Sequence, residues 1–426
     1  MLIITAPGQG AQTPGFLAPW LEVPSVVERL GVASELAGCD LIRFGTSASA
    51  DEIRDTAVAQ PLLVAAALAA AGVLAGGEPG DIRADATAGH SVGELAAGVL
   101  AGVLSADDAM RLVRVRGAAM AAASAAEPTG MTAVLGGDED AVLAAIDGHG
   151  LTPANVNGAG QIVAAGTTAD LEAFAADPPP GARLRPLQVA GAFHTRHMAP
   201  AVAALREAAA GMVVKDPAIT LLSDADGAVV STGREWLERI IAQVAAPVRW
   251  DLCMRTMSDM GATAIIELPP AGTLVGLARR ALPGIAQLAI KTPDQLEAAR
   301  DLIEEHLSEP DGHGHGHLPE WRLVVAPTSG TFRSGGPPGD SPGGPGGSPG
   351  GSGGMGPPGR EGSSPRGNSS PPDQQLLGSI VARGGQRAVA APWPLGSTEI
   401  IEWLVEDGDP VSEGQPLVRV QPREGA

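Results

Sequence analysis

A serine placed between two glycines is the first feature of this chain that could do chemistry. Residues 87–98 read TAGHSVGELAAG, so that Ser91 has a glycine two positions before it and another two positions after it. G-x-S-x-G between a strand and a helix is typical of a nucleophile elbow, a sharp turn that exposes the serine hydroxyl. The N–H groups that open the next helix can then stabilise an oxyanion. An ordinary helix-capping serine fits the pentapeptide equally well.

Two further side chains could complete a site around this serine. Serine is a weak nucleophile at neutral pH and needs a base within hydrogen-bond distance. His194, in GAFHTRHM, is the best candidate, because His90 adjoins the serine turn and would point elsewhere. Arg116, in RLVRVRG, could bind a substrate carboxylate through its planar fork. The alternatives are a structural histidine and an arginine on a solvated helix face.

The elements that must position these residues predict an α/β fold over residues 1–305. Short apolar stretches such as LIITAP and ADATAGHS predict strands that alternate with alanine-rich helices. Between 128 and 190 the pattern becomes β-α-β-(β)-α-β with Gly- and Pro-rich loops, which predicts an inserted ferredoxin-like subdomain. The core, expected to be a hydrolase-like parallel sheet with helices, is therefore divided into 1–127 and 191–305.

Composition argues against several classes of function. The 426 residues carry a formal net charge of −20, which disfavours non-specific nucleic-acid binding. The two cysteines, Cys39 and Cys253, give neither a metal-binding spacing nor a disulfide framework. No apolar stretch is expected to span a membrane, since LLVAAALAAAGVLAGG is mostly alanine and ends in glycines. We therefore expect a soluble cytoplasmic protein with no bound metal and no nucleic-acid or membrane partner.

Several ordered motifs resemble a known enzyme family. APGQGAQ, GHSVGE, MRLVRVRGAAM, ANVNGAGQIVAAG, GAFHTRHM and APVRWDLCM occur in that order. Together they are similar to the malonyl-CoA:acyl carrier protein transacylase family and to the related acyltransferase domains of polyketide synthases, over about residues 1–300. The resemblance implies that Ser91 forms an acyl ester, that His194 activates it and that Arg116 binds the malonyl carboxylate.

The same resemblance implies which residues support the site. The backbone N–H groups of Gln9 and Val92 are expected to form the oxyanion hole. Gln60, Asn155 and Asn157 are expected to give the substrate pocket a polar lining. In this family a backbone carbonyl orients the histidine, so no acidic third member of a triad is required.

The resemblance also predicts a preference among acyl groups. Malonyl-selective polyketide acyltransferases usually read H-A-F-H before the catalytic histidine, and methylmalonyl-selective ones read Y-A-S-H. This chain reads GAFH, so that Phe193 would crowd an α-methyl substituent, whereas Gly191 departs from the usual first residue. Excluding one methyl group is worth only about 1–3 kcal/mol, which predicts a preference and not absolute selectivity.

The implied reaction is a two-step exchange. Malonyl-CoA would acylate the serine, and the phosphopantetheine thiol of an acyl carrier protein would then take the malonyl group, with no bound cofactor. Carrier proteins are acidic, so docking would use arginines, with four candidates: Arg111, Arg114, Arg279 and Arg280.

The C-terminal region resembles a degenerate biotinyl or lipoyl carrier domain. After a linker at 306–320, the stretches 321–333 and 374–422 carry this likeness, and a Gly/Pro/Ser-rich insert at 334–373 is predicted to be disordered. The hairpin sequence EAMKM aligns with ARGGQ, which places Gly385 where the modified lysine belongs. No biotin or lipoate is therefore expected. Such a domain would be a remnant, or a docking module for an acyl-CoA carboxylase or a synthase component.

Two alternatives to the main interpretation stay open. One is the malonyl transferase component of a malonate decarboxylase, which uses the same serine chemistry on a carrier with a modified coenzyme A-type arm. The other is a non-catalytic assembly or docking protein of a malonyl-CoA-using complex. The fused region and long linker favour, by analogy, a specialised polyketide pathway over fatty-acid synthesis.

Overall fold

The computed structural model describes most of the chain in two compact units, Met1–Leu318 and Pro319–Ala426. The described residues are 1–189, 191–307, 322–325, 330–334, 374–382, 385–394, 398–403, 405, 409–411 and 416–422. The predicted linker at 306–320 and the predicted disordered insert at 334–373 lie outside them, apart from the first two residues of the linker and the first of the insert.

The first unit alternates strands with helices, as the sequence predicts. Its strands are β1 (Leu2–Ala6), β2 (Ala86–Gly89), β3 (Thr129–Gly136), β4 (Thr152–Gly158), β5 (Gln161–Thr167), β6 (Ala182–Pro186), β7 (Thr220–Leu222), β8 (Val248–Arg249), β9 (Ala264–Glu267) and β10 (Ala286–Ala289). Its helices are α1 (Pro24–Ala37), α2 (Leu41–Thr46), α3 (Thr56–Ala75), α4 (Gly93–Leu100), α5 (Ala106–Ser124), α6 (Glu139–Gly148), α7 (Thr168–Ala176), α8 (Ala199–Ala209), α9 (Gly233–Ala242), α10 (Trp250–Asp259), α11 (Thr273–Ala281) and α12 (Leu296–His306).

The core of this unit is a five-stranded parallel sheet in the order β10-β9-β1-β2-β7. Every residue of β1 and β2 is buried, as expected for central parallel strands covered on both faces. The alanine-rich α3, α4 and α5 contribute many members of the large apolar cluster against this sheet. The carboxyl end of β2 runs directly into the serine turn and α4, so the sheet places this turn at its edge.

The inserted subdomain is a second sheet in the order β6-β3-β5-β4-β8. Its first four strands pair antiparallel, and with α6 and α7 they form the predicted β-α-β-β-α-β arrangement. Beyond the prediction, β8 adds to this sheet in parallel with β4, through Asn155 opposite Val248 and Val156 opposite Arg249. Because β8 leads into α10, this pairing ties the subdomain strand with the two asparagines to the core.

The second unit consists of β-strands among its described residues. They are β11 (Arg322–Val325), β12 (Gly330–Ser334), β13 (Gln374–Ala382), β14 (Gly385–Pro394), β15 (Thr398–Trp403), β16 (Pro410–Val411) and β17 (Pro416–Pro422). They form two sheets, β11-β17-β15 and β14-β13-β12-β16. Buried residues of both sheets, including Phe332, Ile380 and Val418, belong to one apolar cluster. In the β13–β14 pair, Ala382 lies opposite Gly385.

Helix α3 corrects one expectation about membrane segments. Its 20 residues are long and apolar enough to cross a membrane by length and composition, although the sequence suggested that no stretch would be. In the structure, 83% of its most apolar window is buried inside the protein. That burial is what a core helix requires, since α3 packs against α1 and α5 in the main apolar cluster.

Candidate active site

Ser91 occupies the strained turn that the G-x-S-x-G sequence predicts. It lies between β2 and α4 with a φ of 52°, a left-handed conformation that typically costs a non-glycine residue about 1–3 kcal/mol. Gly93 permits this turn, because a Cβ there would lie 2.2 Å from the carbonyl oxygen of Ala6 on β1. The Ser91 N–H donates to Asp224 Oδ2 at 2.6 Å, which helps to hold the turn in place.

His194 lies beside the serine in the geometry of a general base. Its Nε2 is 2.7 Å from Ser91 Oγ, and its Nδ1 is 2.8 Å from the carbonyl oxygen of Gln243. A proton on Nδ1 satisfies the carbonyl and leaves Nε2 free to accept the serine proton. Burial and the nearby Arg116 charge lower the pKa of His194 from 6.5 to about 3. The imidazole is therefore neutral at physiological pH.

Arg116 is buried in the same site. The sequence left open a solvated helix-face position, but only 1% of Arg116 is exposed. Its Nη1 donates to Gln60 Oε1 at 2.7 Å, and its Nη2 donates to Gln243 Oε1 at 2.7 Å and to Ser91 Oγ at 3.2 Å. These acceptors are neutral, and Arg116 Nε is buried with no partner among the described residues. Burial lowers the pKa of Arg116 to about 10, so it remains a cation at physiological pH.

The two residues expected to form an oxyanion hole flank the serine turn. Gln9 lies in the loop after β1, and its side-chain amide donates to Thr56 Oγ1 at 3.3 Å and to the carbonyl of Arg54 at 3.4 Å. Val92 follows the serine at the start of α4. Neither backbone N–H donates to another residue in the described part of the chain. Both donors are thus available to a ligand oxygen.

A cavity of about 520 Å³ opens onto Ser91 and His194. The predicted lining residues Gln9, Gln60, Asn155, Asn157 and Phe193 all border it.

Two of these residues are less free to bind substrate than the sequence suggested. Gln60 uses its oxygen on Arg116 and its nitrogen on Met120 Sδ at 3.4 Å, and Asn157 Oδ1 is 2.9 Å from His90 Nε2. Gln60 thus orients the guanidinium, and the His90 ring is held by Asn157.

Three residues to which the sequence analysis gave no role link the parts of the site through hydrogen bonds. They are Gln243, Glu94 and Asp224. Gln243 Nε2 donates to Glu94 Oε2 and to Asp224 Oδ1, both at 2.8 Å. The Gln243 side-chain oxygen accepts from Arg116, and the Gln243 backbone carbonyl accepts from His194. Glu94 stands inside the GHSVGE motif, and a glutamate in an otherwise apolar helix was the one signal that could have drawn attention to it. The other two have no local sequence signal.

Gly191, which departs from the family tetrad, has a steric explanation. A Cβ at this position would lie 2.2 Å from Ser124 Oγ on α5, so no larger residue fits while that serine is in place. Phe193 is buried two residues later and borders the cavity. The departure therefore leaves the aromatic ring of the tetrad in position.

The four candidate docking arginines occupy two different places. Arg111 pairs with Asp107 and Asp108 on the outer face of α5, and Arg114 packs against Gly38 at the end of α1. Arg279 and Arg280 are exposed at the end of α11, the helix whose first residues border the active-site cavity.

Within the described residues, no three His, Cys, Asp or Glu side chains gather in a metal-binding group.

Comparison with known proteins agrees with the site geometry. Residues 7–292 match the family model described as an acyl transferase domain. A malonyl CoA-acyl carrier protein transacylase of Mycobacterium tuberculosis H37Rv is 51% identical over 308 residues, covering 71% of this chain and 100% of that protein. The corresponding protein of Escherichia coli K12 is 33% identical over 304 residues, covering 70% of this chain and 97% of that protein.

Solved structures lead to the same family. The crystal structure of MCAT from Mycobacterium tuberculosis has a TM-score of 0.66 and 50% identity, over 70% of this chain and 99% of that one. An acyl-carrier-protein S-malonyltransferase from Burkholderia pseudomallei has a TM-score of 0.65 and 35% identity, over 71% of this chain and 99% of that one. The chain therefore belongs to the acyl transferase domain family, within its malonyl CoA-acyl carrier protein transacylase group.

Proposed function

We propose that this protein transfers a malonyl group from malonyl-CoA to the phosphopantetheine thiol of an acyl carrier protein through an ester on Ser91, for fatty-acid or polyketide synthesis. The observation that carries the proposal is the joint placement of Ser91, His194 and Arg116 in one buried site. The names of the relatives, which are transacylases of this specificity, support the same choice of donor and acceptor.

In the first step, Ser91 Oγ attacks the thioester carbonyl carbon of malonyl-CoA. Its proton passes to His194 Nε2, which is 2.7 Å away. The free N–H groups of Gln9 and Val92 would hold the oxyanion of the tetrahedral intermediate. The C–S bond then breaks, the coenzyme A thiolate takes the proton from His194, and the malonyl ester of Ser91 remains.

The second step runs the same chemistry with a different thiol. The phosphopantetheine thiol of the carrier protein gives its proton to His194 and attacks the ester carbonyl. The Ser91 oxygen leaves and recovers the proton, so the enzyme ends as it began. For docking the acidic carrier, we favour Arg279 and Arg280 over Arg111, because they lie on the helix that borders the cavity.

Selection for malonyl groups rests on Arg116. A buried guanidinium held by neutral acceptors has no counter-ion in direct contact, and a malonyl carboxylate provides one. An acetyl group places a methyl against the same cation and gains no such interaction. Phe193, which borders the same cavity as Ser91 and His194, supports the proposed preference against an α-methyl substituent.

For the second unit, we propose a docking role without a carried cofactor. We also propose that the chain is divided into domains at the bounds that the sequence predicts. The two-sheet arrangement of its described strands is compatible with a biotinyl- or lipoyl-like fold. Gly385 opens β14 opposite the end of β13, where such domains carry their lysine. The chain's lysines, Lys215 and Lys291, both lie in the first unit, so amide-linked biotin or lipoate has no attachment point here. A carboxylase or synthase component is the proposed partner.

Intact-mass measurement after incubation with malonyl-CoA tests the proposal. The wild type should gain a malonyl-sized adduct that is absent from Ser91→Ala, and a phosphopantetheinylated carrier protein should remove the adduct. Acetyl-CoA is the matched donor without a carboxylate, and it should leave little or no adduct.

Each alternative has its own outcome in the same experiment. An adduct that transfers only to a carrier with a modified coenzyme A-type arm would favour the malonate decarboxylase component. A folded wild-type protein that forms no adduct with either donor would exclude the enzymatic function and favour an assembly role.

A further inference from the structure

A pair of buried carboxyl groups stands behind the serine turn, and the proposed chemistry makes no direct use of it. Glu94 on α4 is 1% exposed, and Asp224, just after β7, is fully buried. Both accept a hydrogen bond from the same nitrogen, Gln243 Nε2, at 2.8 Å. The Asp224 N–H also faces Glu94 Oε2, at 3.4 Å. The two carboxyl groups therefore meet at one amide.

The hydrogen bonds around the pair are asymmetric. Both oxygens of Asp224 accept hydrogen bonds, Oδ2 from the Ser91 N–H and Oδ1 from Gln243. Glu94 Oε2 accepts in the same way, whereas Glu94 Oε1 is buried without a well-formed hydrogen bond among the described residues, the Ser223 hydroxyl being the nearby donor that lowers the pKa of this carboxyl. A proton on Oε1 would turn this orphan acceptor into a donor toward Asp224. Burial raises the pKa of Glu94 well above its usual value, and the adjacent Asp224 raises it further.

We propose that Glu94 and Asp224 share one proton at neutral pH, carried by Glu94, and that the pair is a positioning element for the serine turn and for Gln243. Asp224, the anionic member, fixes the Ser91 N–H by accepting its hydrogen bond. Both members accept from the Gln243 Nε2 group and so fix which end of the Gln243 amide faces the pair. That orientation leaves Gln243 Oε1 to accept from Arg116. The mechanistic part of the inference rests on the proposed function, whereas the shared proton does not.

Other charged and titratable groups surround the pair and belong in any interpretation of its titration. They are His90, Arg116, His194, Asp226, Arg239, Asp251 and Cys253. Arg239 is held by Asp226 at 2.7 Å and by Glu235, and His194 is neutral. Arg116 is separated from the pair by the Gln243 amide. One negative charge on the pair balances that one buried cation, whereas two would leave an excess.

Two amide substitutions distinguish the members of the pair. Glu94→Gln replaces the proposed carboxylic acid by an amide whose NH₂ group can donate in place of the O–H and whose oxygen still accepts, so it should keep activity within about threefold of wild type. Asp224→Asn places an NH₂ group against Ser91 N–H or Gln243 Nε2, both donors, and should lower the melting temperature by roughly 6 °C. Glu139→Gln, an exposed first-turn glutamate of α6, is the control.

Two measurements report the proton itself and do not depend on activity. At neutral pH the infrared spectrum of the wild type should contain a protonated-carboxyl band that Glu94→Gln lacks and Glu139→Gln retains. The band should therefore appear in the difference between the wild-type and Glu94→Gln spectra. Because the folded state raises the pKa of Glu94, the folded protein binds more protons than the unfolded chain above the usual carboxyl pKa. Wild-type stability should therefore fall with rising pH relative to Glu94→Gln, by about 2 °C in melting temperature for each pH unit, until the raised pKa is passed.

The outcomes separate this inference from the proposed function. Loss of the band, with near wild-type activity and a widening melting-temperature difference, supports the shared proton. An identical infrared spectrum in Glu94→Gln, or a melting-temperature difference that does not change with pH, overturns it even if malonyl transfer is intact. If the wild type fails to form the malonyl ester while the band is present and assigned, the proposed function fails and the proton inference stands. Should Asp224→Asn not fold, the Glu94→Gln measurements decide alone.

Discussion

Replacing Arg116 by alanine should sharply reduce the discrimination between malonyl and acetyl donors. The guanidinium is 1% exposed and lies within 3.2 Å of Ser91 Oγ, so a carboxylate bound to it stands beside the nucleophile. A bidentate contact supplies two charge-assisted hydrogen bonds, each worth about 1.5–3 kcal/mol. Their loss corresponds to a ~10²–10⁴-fold fall in kcat/KM for malonyl-CoA. The acetyl donor makes neither bond.

The assay is the release of coenzyme A on transfer to a carrier protein, measured with both donors for each variant. We expect the acetyl rate of Arg116→Ala to stay within about tenfold of the wild-type rate. A change of this size is expected because the substitution also leaves Gln60 Oε1 and Gln243 Oε1 without their donor. The ratio of the two rates should nevertheless fall by at least ~10²-fold. Arg111→Ala, on the exposed face of the same helix, should leave the ratio of the two rates unchanged.

An equal fall with both donors would refute this reasoning, since it would mean that Arg116 acts through the structure of the site and not through the substrate carboxylate. Melting temperatures of the three proteins distinguish that case from simple unfolding. Arg116→Lys refines the result, because an ammonium keeps the charge without the planar fork and should give an intermediate selectivity.

Three further predictions concern the base, the turn and the acyl pocket. With the pKa of His194 lowered to about 3, kcat/KM for acylation should not fall as the pH drops through 6.5. In Arg116→Gln the acidic fall in kcat/KM should move to higher pH, because a charge that lowers the His194 pKa is gone. Gly93→Ala should lower stability by about 2–4 kcal/mol in denaturant unfolding, as its Cβ meets the Ala6 carbonyl, whereas Gly31→Ala on α1, with open space around it, should be neutral or stabilising. Phe193→Ser should raise methylmalonyl transfer relative to malonyl transfer by about tenfold in competition assays; an unchanged ratio would remove the ring from the specificity argument.

The parts of the site that the sequence predicts are those with local signals. The serine turn is encoded by a pentapeptide, with both of its glycines inside five consecutive residues. The helix that carries Arg116 begins at a recognisable N-cap residue, Ser105. The βαββαβ subdomain was predictable for the same reason, since its elements are consecutive. The transacylase resemblance then supported His194 and Arg116, which the residues had already given as candidates.

The parts that escaped prediction depend on contacts between distant segments. Ser91 and Asp224 are 133 residues apart in the chain, and Glu94 and Gln243 are 149 apart. Nothing near Asp224 or Gln243 distinguishes them from surface residues, because burial of a polar group is decided by what packs over it. The membrane-like composition of α3 shows the converse, since a helix surrounded by protein and one surrounded by lipid have the same apolar sequence.

The arrangement couples the choice of substrate to the strength of the base. Arg116 is both the proposed receptor for the malonyl carboxylate and, after burial, the largest cause of the low pKa of His194. A carboxylate bound to the guanidinium neutralises that charge next to Ser91, so the proposed substrate weakens the field that makes His194 a poor base. An acetyl group leaves the field unchanged. Discrimination should therefore appear in the acylation rate as well as in binding, and Arg116→Ala, which removes the charge for both donors, should raise kcat for the acetyl donor relative to kcat for the malonyl donor.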